Sequence, residues 1–325
     1  MKIKMNGVLR RVTTLLSTRG PSVGLEIAAG RVTAVALVWV KSIPRLLGHA
    51  TVPLAEGAVV PSAASTNIID REAVAAAVRG VLEQLPRRAT RVGLIVPDSA
   101  AKVSFVHFDE VPERSADLDR LVAWQVRKAV PFRMEEAQLA YTPGATRAGG
   151  GRDFVAVIIR RDIVQEYETV CGAAGAQVGL LDVASFNVVN AGLALSPPLH
   201  ADWLLVHIAP GYCTLAIVRG EHLIFFRNRR VESEVDLADL VHQTAMYYED
   251  RLEGRGFARS VLVDSSDTPG VAHAARQILE ERLGTAVEPL ASVRATATLG
   301  SAATPMDPMA AAIGLVMRER LLSTA

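Results

Sequence analysis

The stretch Trp203-Leu-Leu-Val-His-Ile-Ala-Pro-Gly-Tyr-Cys-Thr-Leu-Ala-Ile-Val218 decides how the chain is read. An apolar run at Leu204–Ile208 and a β-prone run at Thr214–Val218 flank Pro210-Gly211, whose turn chemistry makes the whole a strand, a tight turn and a strand. An earlier stretch, Gly24-Leu-Glu-Ile-Ala-Ala-Gly-Arg-Val-Thr-Ala-Val-Ala-Leu37, has the same plan. Laid over each other, Glu26 falls on His207, Ile27 on Ile208, Ala28 on Ala209, Gly30 on Gly211 and Thr33 on Thr214. Two such hairpins point to two related half-domains, provided that the elements after each copy also match.

They do match. The first hairpin is followed by a strand at Leu46–Val52 and a small-residue loop at Pro61–Asn67. Asp70 then caps a helix to about Leu85, with Val74, Val78, Val81, Leu82 and Leu85 on one face, and Arg91–Val96 is a buried strand ended by Pro97. The second hairpin is followed by a strand at His222–Arg227, a helix at Leu237–Leu252 and a strand at Ser260–Val263. A helix capped by Thr268 opens at Pro269 and ends at Gly284, and a last one runs from Asp307-Pro308 to about Leu322.

Residues 98–182 read as a separate β-α-β-β-α-β unit. It has a strand at Lys102–Phe108, a helix capped by Ser115 and ended by Val130-Pro131-Phe132, and strands at Gln138–Tyr141 and Phe154–Ile159 joined through Gly149-Gly150-Gly151. A helix at Asp162–Ala174 stopped by Gly175 and a strand at Gln177–Leu181 complete it. Asp182–Leu195 is a helix back in the first half, closed by Pro197-Pro198. The expected organisation is a basic segment at 1–20, a first half at 21–97 with 183–200 and 291–325, the insert at 98–182, and a second half at 201–290. The fold class is α/β, with two mixed-sheet halves.

Composition excludes several functions. Hydrophobic residues make up 50% and charged residues 21%, which suits a globular chain. A net charge of +1 supplies no field for nucleic acid. Cys171 and Cys213 have no CxxC partner, and the 7 histidines are scattered singly, so no metal site is expected and the compartment reads as reducing. No GxGxxG or P-loop follows a strand. The longest uncharged stretch, Val183–Ala201, is broken by Ser185, Asn187, Asn190 and the proline pair, so no spanning helix is expected. Met1–Arg19 lacks the long apolar core of a signal peptide; its Val8, Leu9, Val12, Leu15 and Leu16 fit one face of a basic amphipathic helix, suited either to an anionic membrane surface or to docking on its own domain.

Four stretches carry a family resemblance. They are Gly24-Leu-Glu-Ile-Ala with Val32-Thr-Ala-Val-Ala-Leu; Leu121-Val-Ala-Trp-Gln-Val-Arg-Lys-Ala-Val-Pro-Phe132 followed by Glu135, Glu136 and Leu139-Ala-Tyr141; Leu181-Asp-Val-Ala-Ser-Phe-Asn-Val; and Ala310-Ala-Ala-Ile-Gly-Leu315. With the order of elements, these resemble the actin-like (ribonuclease H-like) ATPase superfamily, in the branch of FtsA and of PilM, the type IV pilus assembly protein. The helix ending in Pro-Phe before an acidic strand is the feature most specific to PilM. The resemblance covers nearly all of the chain from about residue 21.

In such ATPases each hairpin contacts phosphate, a carboxylate ending the first strand holds Mg²⁺ through water, and a glycine two residues on lets backbone approach the phosphates. Here Glu26 and His207 stand for the aspartates, Ala28 and Ala209 for the glycines, and Asp264-Ser265-Ser266 for the Gly-Gly turn beside adenosine. Histidine is a poor ligand for hard Mg²⁺. The resemblance therefore implies a vestigial nucleotide site of Glu26, Gly30, Thr33, Gly211, Thr214, Ser265 and Ser266, with no catalytic residue and no required cofactor, ATP and Mg²⁺ being the ones left open.

By the same resemblance the expected role is a cytoplasmic scaffold, peripheral at the inner membrane, in a type IV pilus or type II secretion-like platform. Its partner would be the short cytoplasmic N-terminal peptide of a PilN-like single-pass membrane protein, lying in the groove between first half and insert near Val130, Pro131 and Phe132. The related GspL of type II secretion is fused to a membrane span, and none follows Ala325, which favours the separate protein. Self-association is left open. Two alternatives stand beside this reading: an active ATPase or sugar-kinase-like phosphotransferase on the same fold, and an unrelated binding module.

Overall fold

A computed structural model describes residues 21–41, 43–146, 149–196, 199–266, 268–290 and 306–323. The basic helix expected at 1–20, the Pro197-Pro198 closure and the 291–305 part of the first half lie outside the described residues.

The first hairpin is β1 (Val23–Ile27) and β2 (Arg31–Val40), followed by β3 (Ile43–Pro53), α1 (Arg71–Gln84) and β4 (Arg91–Val96). Asp70 caps α1 as expected, its Oδ1 accepting from the Ala73 N–H at 2.9 Å. Val74, Val78, Val81 and Leu82 are buried against the sheet, each such side chain worth about 1.5–3 kcal/mol. The second hairpin is β9 (Asp202–Ala209) and β10 (Tyr212–Arg219), followed by β11 (His222–Arg229), α5 (Glu234–Leu252), β12 (Arg259–Asp264), α6 (Val271–Leu283) and β13 (Val287–Pro289).

The sheets repeat one plan. Their orders are β3-β2-β1-β4-β8 and β11-β10-β9-β12-β13, with β8 at Gln177–Val183. In each half the hairpin is antiparallel and its first strand runs parallel to the strand after the helix. Glu26 sits opposite Thr33 in one hairpin and His207 opposite Thr214 in the other. The duplication read from the sequence is the fold.

The insert is smaller than expected. Its sheet has the order β5-β7-β6, built from β5 (Lys102–Phe108), β6 (Ala137–Thr146) and β7 (Arg152–Arg160), and α2 (Ser115–Val126) covers it. The helix α3 (Arg161–Ala173) and β8, assigned by sequence to the insert, belong to the first half. β8 pairs in parallel with β4, Leu94 opposite Leu181, and α3 buries Ile163, Tyr167, Val170 and Cys171 in the first half's core. The order of elements leaves open which sheet takes a β-strand; burial of those side chains against β4 and α1 decided it.

Two caps also differ. Ser115 is the first residue of α2 and makes no cap bond, Arg114 being the N-cap, and Gly270 at φ +85°, not Thr268, precedes α6. α5 starts three residues before Leu237, behind a reciprocal capping box between Ser233 and Asp236.

Between the two five-stranded sheets lie α4 (Ala184–Leu195) and α7 (Ala310–Ser323). Val35, Leu37 and Ile95 of one sheet and Trp203, Leu205, Ala216, Val261 and Val263 of the other pack on them. Small residues let α7 approach both α4 and the first sheet: a Cβ on Gly314 would overlap the Asn187 carbonyl oxygen of α4, and one on Gly24 of β1 would lie 2.5 Å from that of Ala312. We predict that Gly314→Ala lowers stability by about 1–3 kcal/mol or prevents folding, whereas Gly30→Ala, with nothing within 4 Å, stays within about 0.5 kcal/mol of the parent. Chemical denaturation of both variants checks this; equal stabilities would refute the close contact.

Candidate functional site

A chain of buried polar groups crosses the cleft where the two halves meet. Asp98, just past β4 and its Pro97, accepts from the Ser185 N–H at 2.9 Å, from the Ser185 hydroxyl, and from the Thr214 hydroxyl at 2.7 Å. Ser185 Oγ also lies 2.7 Å from Nδ1 of His207, and His207 Nε2 lies 3.2 Å from Ser265 Oγ. With Asp98 as a carboxylate, Ser185 donates to Asp98 and Nδ1–H of His207 donates to Ser185, while the one hydrogen of the Ser265 hydroxyl has two acceptors in reach, His207 Nε2 and the Asp307 carbonyl.

Further bonds join the halves around this chain. An Arg31 Nη1 donates to the Ser265 carbonyl at 2.6 Å, Ser99 Oγ donates to Asn228 Oδ1 at 3.1 Å, and the Asp98 N–H donates to the Tyr212 phenol oxygen at 3.3 Å. Asp307, at the start of the turn leading into α7, accepts from the Asp264 N–H through Oδ2 and from the Ser265 hydroxyl through its carbonyl.

Burial sets the charges here. It pushes the His207 imidazole down to about 3, with the Arg31 charge adding to the effect. Burial raises the Asp98 carboxyl, while the Ser185 and Thr214 donors pull it back, and burial next to Asp98 raises the Tyr212 phenol. Burial also pushes the Cys171 thiol up to about 12 and the Cys213 thiol higher still, so both cysteines are inert packing groups.

The residues expected to mark a nucleotide site lie in this chain, in the hairpin strands and in their turns. Thr214 and Ser265 join the chain of polar groups, and Glu26 is buried close enough for its charge to act on Tyr212. Thr33 is hydrogen-bonded to Thr51 at 3.2 Å, and Ser266 folds back onto Asp264. Gly30 is exposed in its turn, and Gly211 holds φ +81° in the other. Ala28 and Ala209 are buried. Sequence reasoning missed Asp98, Ser185, Arg31 and Asn228. A carboxylate placed straight after the apolar run Val92–Val96 and Pro97 was the available signal for the first. Among the described residues no three His, Cys, Asp or Glu side chains gather as metal ligands.

Beside the cleft is an apolar groove of about 160 Å³. One face of the insert sheet forms its floor, with Ala140 and Thr142 of β6 and Val155, Val157 and Ile159 of β7. Leu181–Val183 of β8 and Phe186, Val189 and Leu193 of α4 form a wall, and Glu221–Leu223 of the β10–β11 turn close it from the second half. The polar groups at its rim include the ion pair of Asp182 with Arg318 from α7. β6 and β8 are both sheet edges. Val130 and Phe132 pack against the insert's own core instead, and Pro131 is exposed; the groove lining does not include them. The proline acts as a stop that keeps Val130 extended.

The profile of the type IV pilus assembly protein PilM family matches residues 24–251, more than half of the chain. The chain belongs to the PilM family. This PilM-family chain is also similar to a solved PilM–PilN type IV pilus biogenesis complex, 17% identical over 93% of this chain and 99% of that one, with a TM-score of 0.78. At that identity the likeness shows the actin-like fold and no more. Two further solved structures are the ethanolamine utilization protein EutJ of Carboxydothermus hydrogenoformans (12% identity, 95% and 93% coverage) and the cytoplasmic domain of EpsL, an inner-membrane component of the type II secretion system of Vibrio cholerae (12%, 92% and 94%). Both reach a TM-score of 0.49, too low to say more. A comparison with curated proteins returns no match. Among the described residues no helix is long and apolar enough to cross a membrane.

The depressed His207 pKa makes a pH prediction. Because the folded value lies near 3 and the ordinary value near 6.5, the unfolded chain takes up the proton first. The contribution of His207 is complete above pH 6.5 and falls by about 1.4 kcal/mol per unit as pH drops towards 3. Asp98 works in the opposite sense, losing stability as pH rises through its raised value. Denaturation of wild type and His207→Gln between pH 7 and 4 is expected to show the steeper loss in wild type only; parallel curves would refute a neutral buried imidazole.

Proposed function

We propose that this PilM-family chain is a cytoplasmic scaffold, held at the inner membrane by its partner, in a type IV pilus or related assembly platform. Its groove takes the cytoplasmic N-terminal peptide of a PilN-like single-pass protein. The observation that carries this is the groove itself: an apolar trough between two sheet edges, β6 and β8. Edges offer unpaired main-chain donors and acceptors to an extended peptide, and the trough receives its alternate side chains. That a similar fold was solved with PilN supports the choice of partner.

The nucleotide site, on this reading, has decayed. His207 spends both ring nitrogens on serine hydroxyls, Asp98 is enclosed by internal donors, and the Arg31 side chain crosses to the second half. These groups are a poor fit for Mg-ATP, which needs oxygen ligands for the metal and bare backbone for the phosphates.

Two outcomes are expected. A synthetic peptide of the partner's N-terminus binds at micromolar affinity, about −8 kcal/mol, and Ala140→Arg, which places a charge on the groove floor, weakens it at least about tenfold. Calorimetry with no heat for wild type would overturn the scaffold reading. Mg-ATP is expected to leave the melting temperature unchanged in wild type and to raise it only after Glu26→Asp, Ala28→Gly, His207→Asp and Ala209→Gly are combined. Low-micromolar binding by wild type would refute the decay.

A further inference from the structure

The polar chain and the groove share α4. Ser185 lies in its first turn, inside the cleft, and the next residue, Phe186, lines the groove and meets Phe226 of β11 edge-on at 5.2 Å. The groove is itself built from both halves: Glu221, His222 and Leu223 come from the second, and the insert and α4 walls belong to the first. Its width is therefore set by how the halves sit on each other. In an actin-like fold a ligand between the hairpins could set that geometry; here the residues themselves bridge it. Ser185, Asp98 and Arg31 from one half meet His207, Thr214 and Ser265 from the other. Ser185, His207 and Thr214 are fully buried. If the halves parted, each of these bonds would be exchanged for bonds to water at a modest net loss, larger at the charged Arg31, so together they favour the closed arrangement.

We propose that this hydrogen-bond chain is a built-in latch that replaces a bound nucleotide, holding the cleft shut without a ligand and positioning α4 as the wall of the groove. The positioning part rests on the peptide-binding reading above; the latch itself does not. Ser185 and Thr214 are positioning residues. They lie outside the groove lining and act through α4 and the β9–β10 hairpin.

The test uses the full chain and three variants. Thr214→Val keeps the shape and removes the hydroxyl between Asp98 and Asn228. Ser185→Ala removes the hydroxyl between Asp98 and His207. Ala275→Gly, in α6 on the far face of the second sheet, is a control that loosens packing away from the cleft. Hydrogen–deuterium exchange and small-angle scattering read the cleft, and titration with the synthetic partner peptide reads the groove. Thr214→Val and Ser185→Ala are expected to speed exchange at the start of α4 and in β9–β10, to expand the particle, and to weaken the peptide about tenfold, the effect of one lost buried bond. The control is expected to lose stability while its affinity stays within about twofold of wild type. Unchanged exchange and scattering in both cleft variants would overturn the latch. An opened cleft with unchanged affinity would overturn the positioning of α4. A wild type that does not bind the peptide would overturn the scaffold reading, and exchange would still decide the latch.

Discussion

Everything in this molecule depends on two helices touching at backbone distance. α4 and α7 lie between two sheets, and their contact leaves no room for a side chain at Gly314 against the Asn187 carbonyl. Ala310, Ala311 and Ala312 thin α7 on the same stretch, and all three are buried. Such close approach maximises dispersion contacts over a short length, and it tolerates no extra methyl group. Because both sheets rest on the same pair, the halves share one core between them in addition to their separate ones. A duplicated fold held this way has a defined middle.

That middle lets α4 serve two sites, one at its first turn and one along its outward face. Its first turn delivers Ser185 to the cleft, and its outward face delivers Phe186, Val189 and Leu193 to the groove. α7 contributes Asp307 ahead of it and Arg318 within it, one near the cleft and the other at the groove rim. A rigid pair of helices thus joins two sites that have little in common chemically. The cleft is polar, buried and internally hydrogen-bonded; the groove is apolar, open and flanked by sheet edges. Burying Asp98 and Arg31 is unfavourable unless donors and acceptors surround them, and the cross-cleft bonds supply these. His207, kept neutral by burial, adds no further charge to the cleft.

Much of the fold was legible in the sequence because periodicity and turn chemistry are local. The strand at Arg91–Val96, the strand at Lys102–Phe108 and the Asp70 cap stand where the residues put them. The repeat of Glu26 on His207 and Thr33 on Thr214 is reproduced in the strand registers. What failed was assignment across distance. α3 and β8 read as part of the insert because they come after its strands without a break, yet β8 completes the first sheet beside β4. Nothing local in Gln177–Val183 states which edge it will join.

The candidate site divides in the same way. The sequence by itself determined the duplicated hairpins, the alignment of Glu26 with His207 and of Ala28 with Ala209, and the stop at Pro131. Only the tertiary structure decided that Asp98, Ser185, His207, Thr214 and Ser265 form one connected chain, since its members lie far apart in sequence and come together only when the halves close. It also decided that the groove lies along β6, β8 and α4, with Val130 and Phe132 turned into the insert's core. The reason is physical. A side chain's type and the local pattern say whether it prefers to be buried, but a hydrogen-bond partner or a groove wall is a property of where two elements meet, and that is settled by packing of the whole chain.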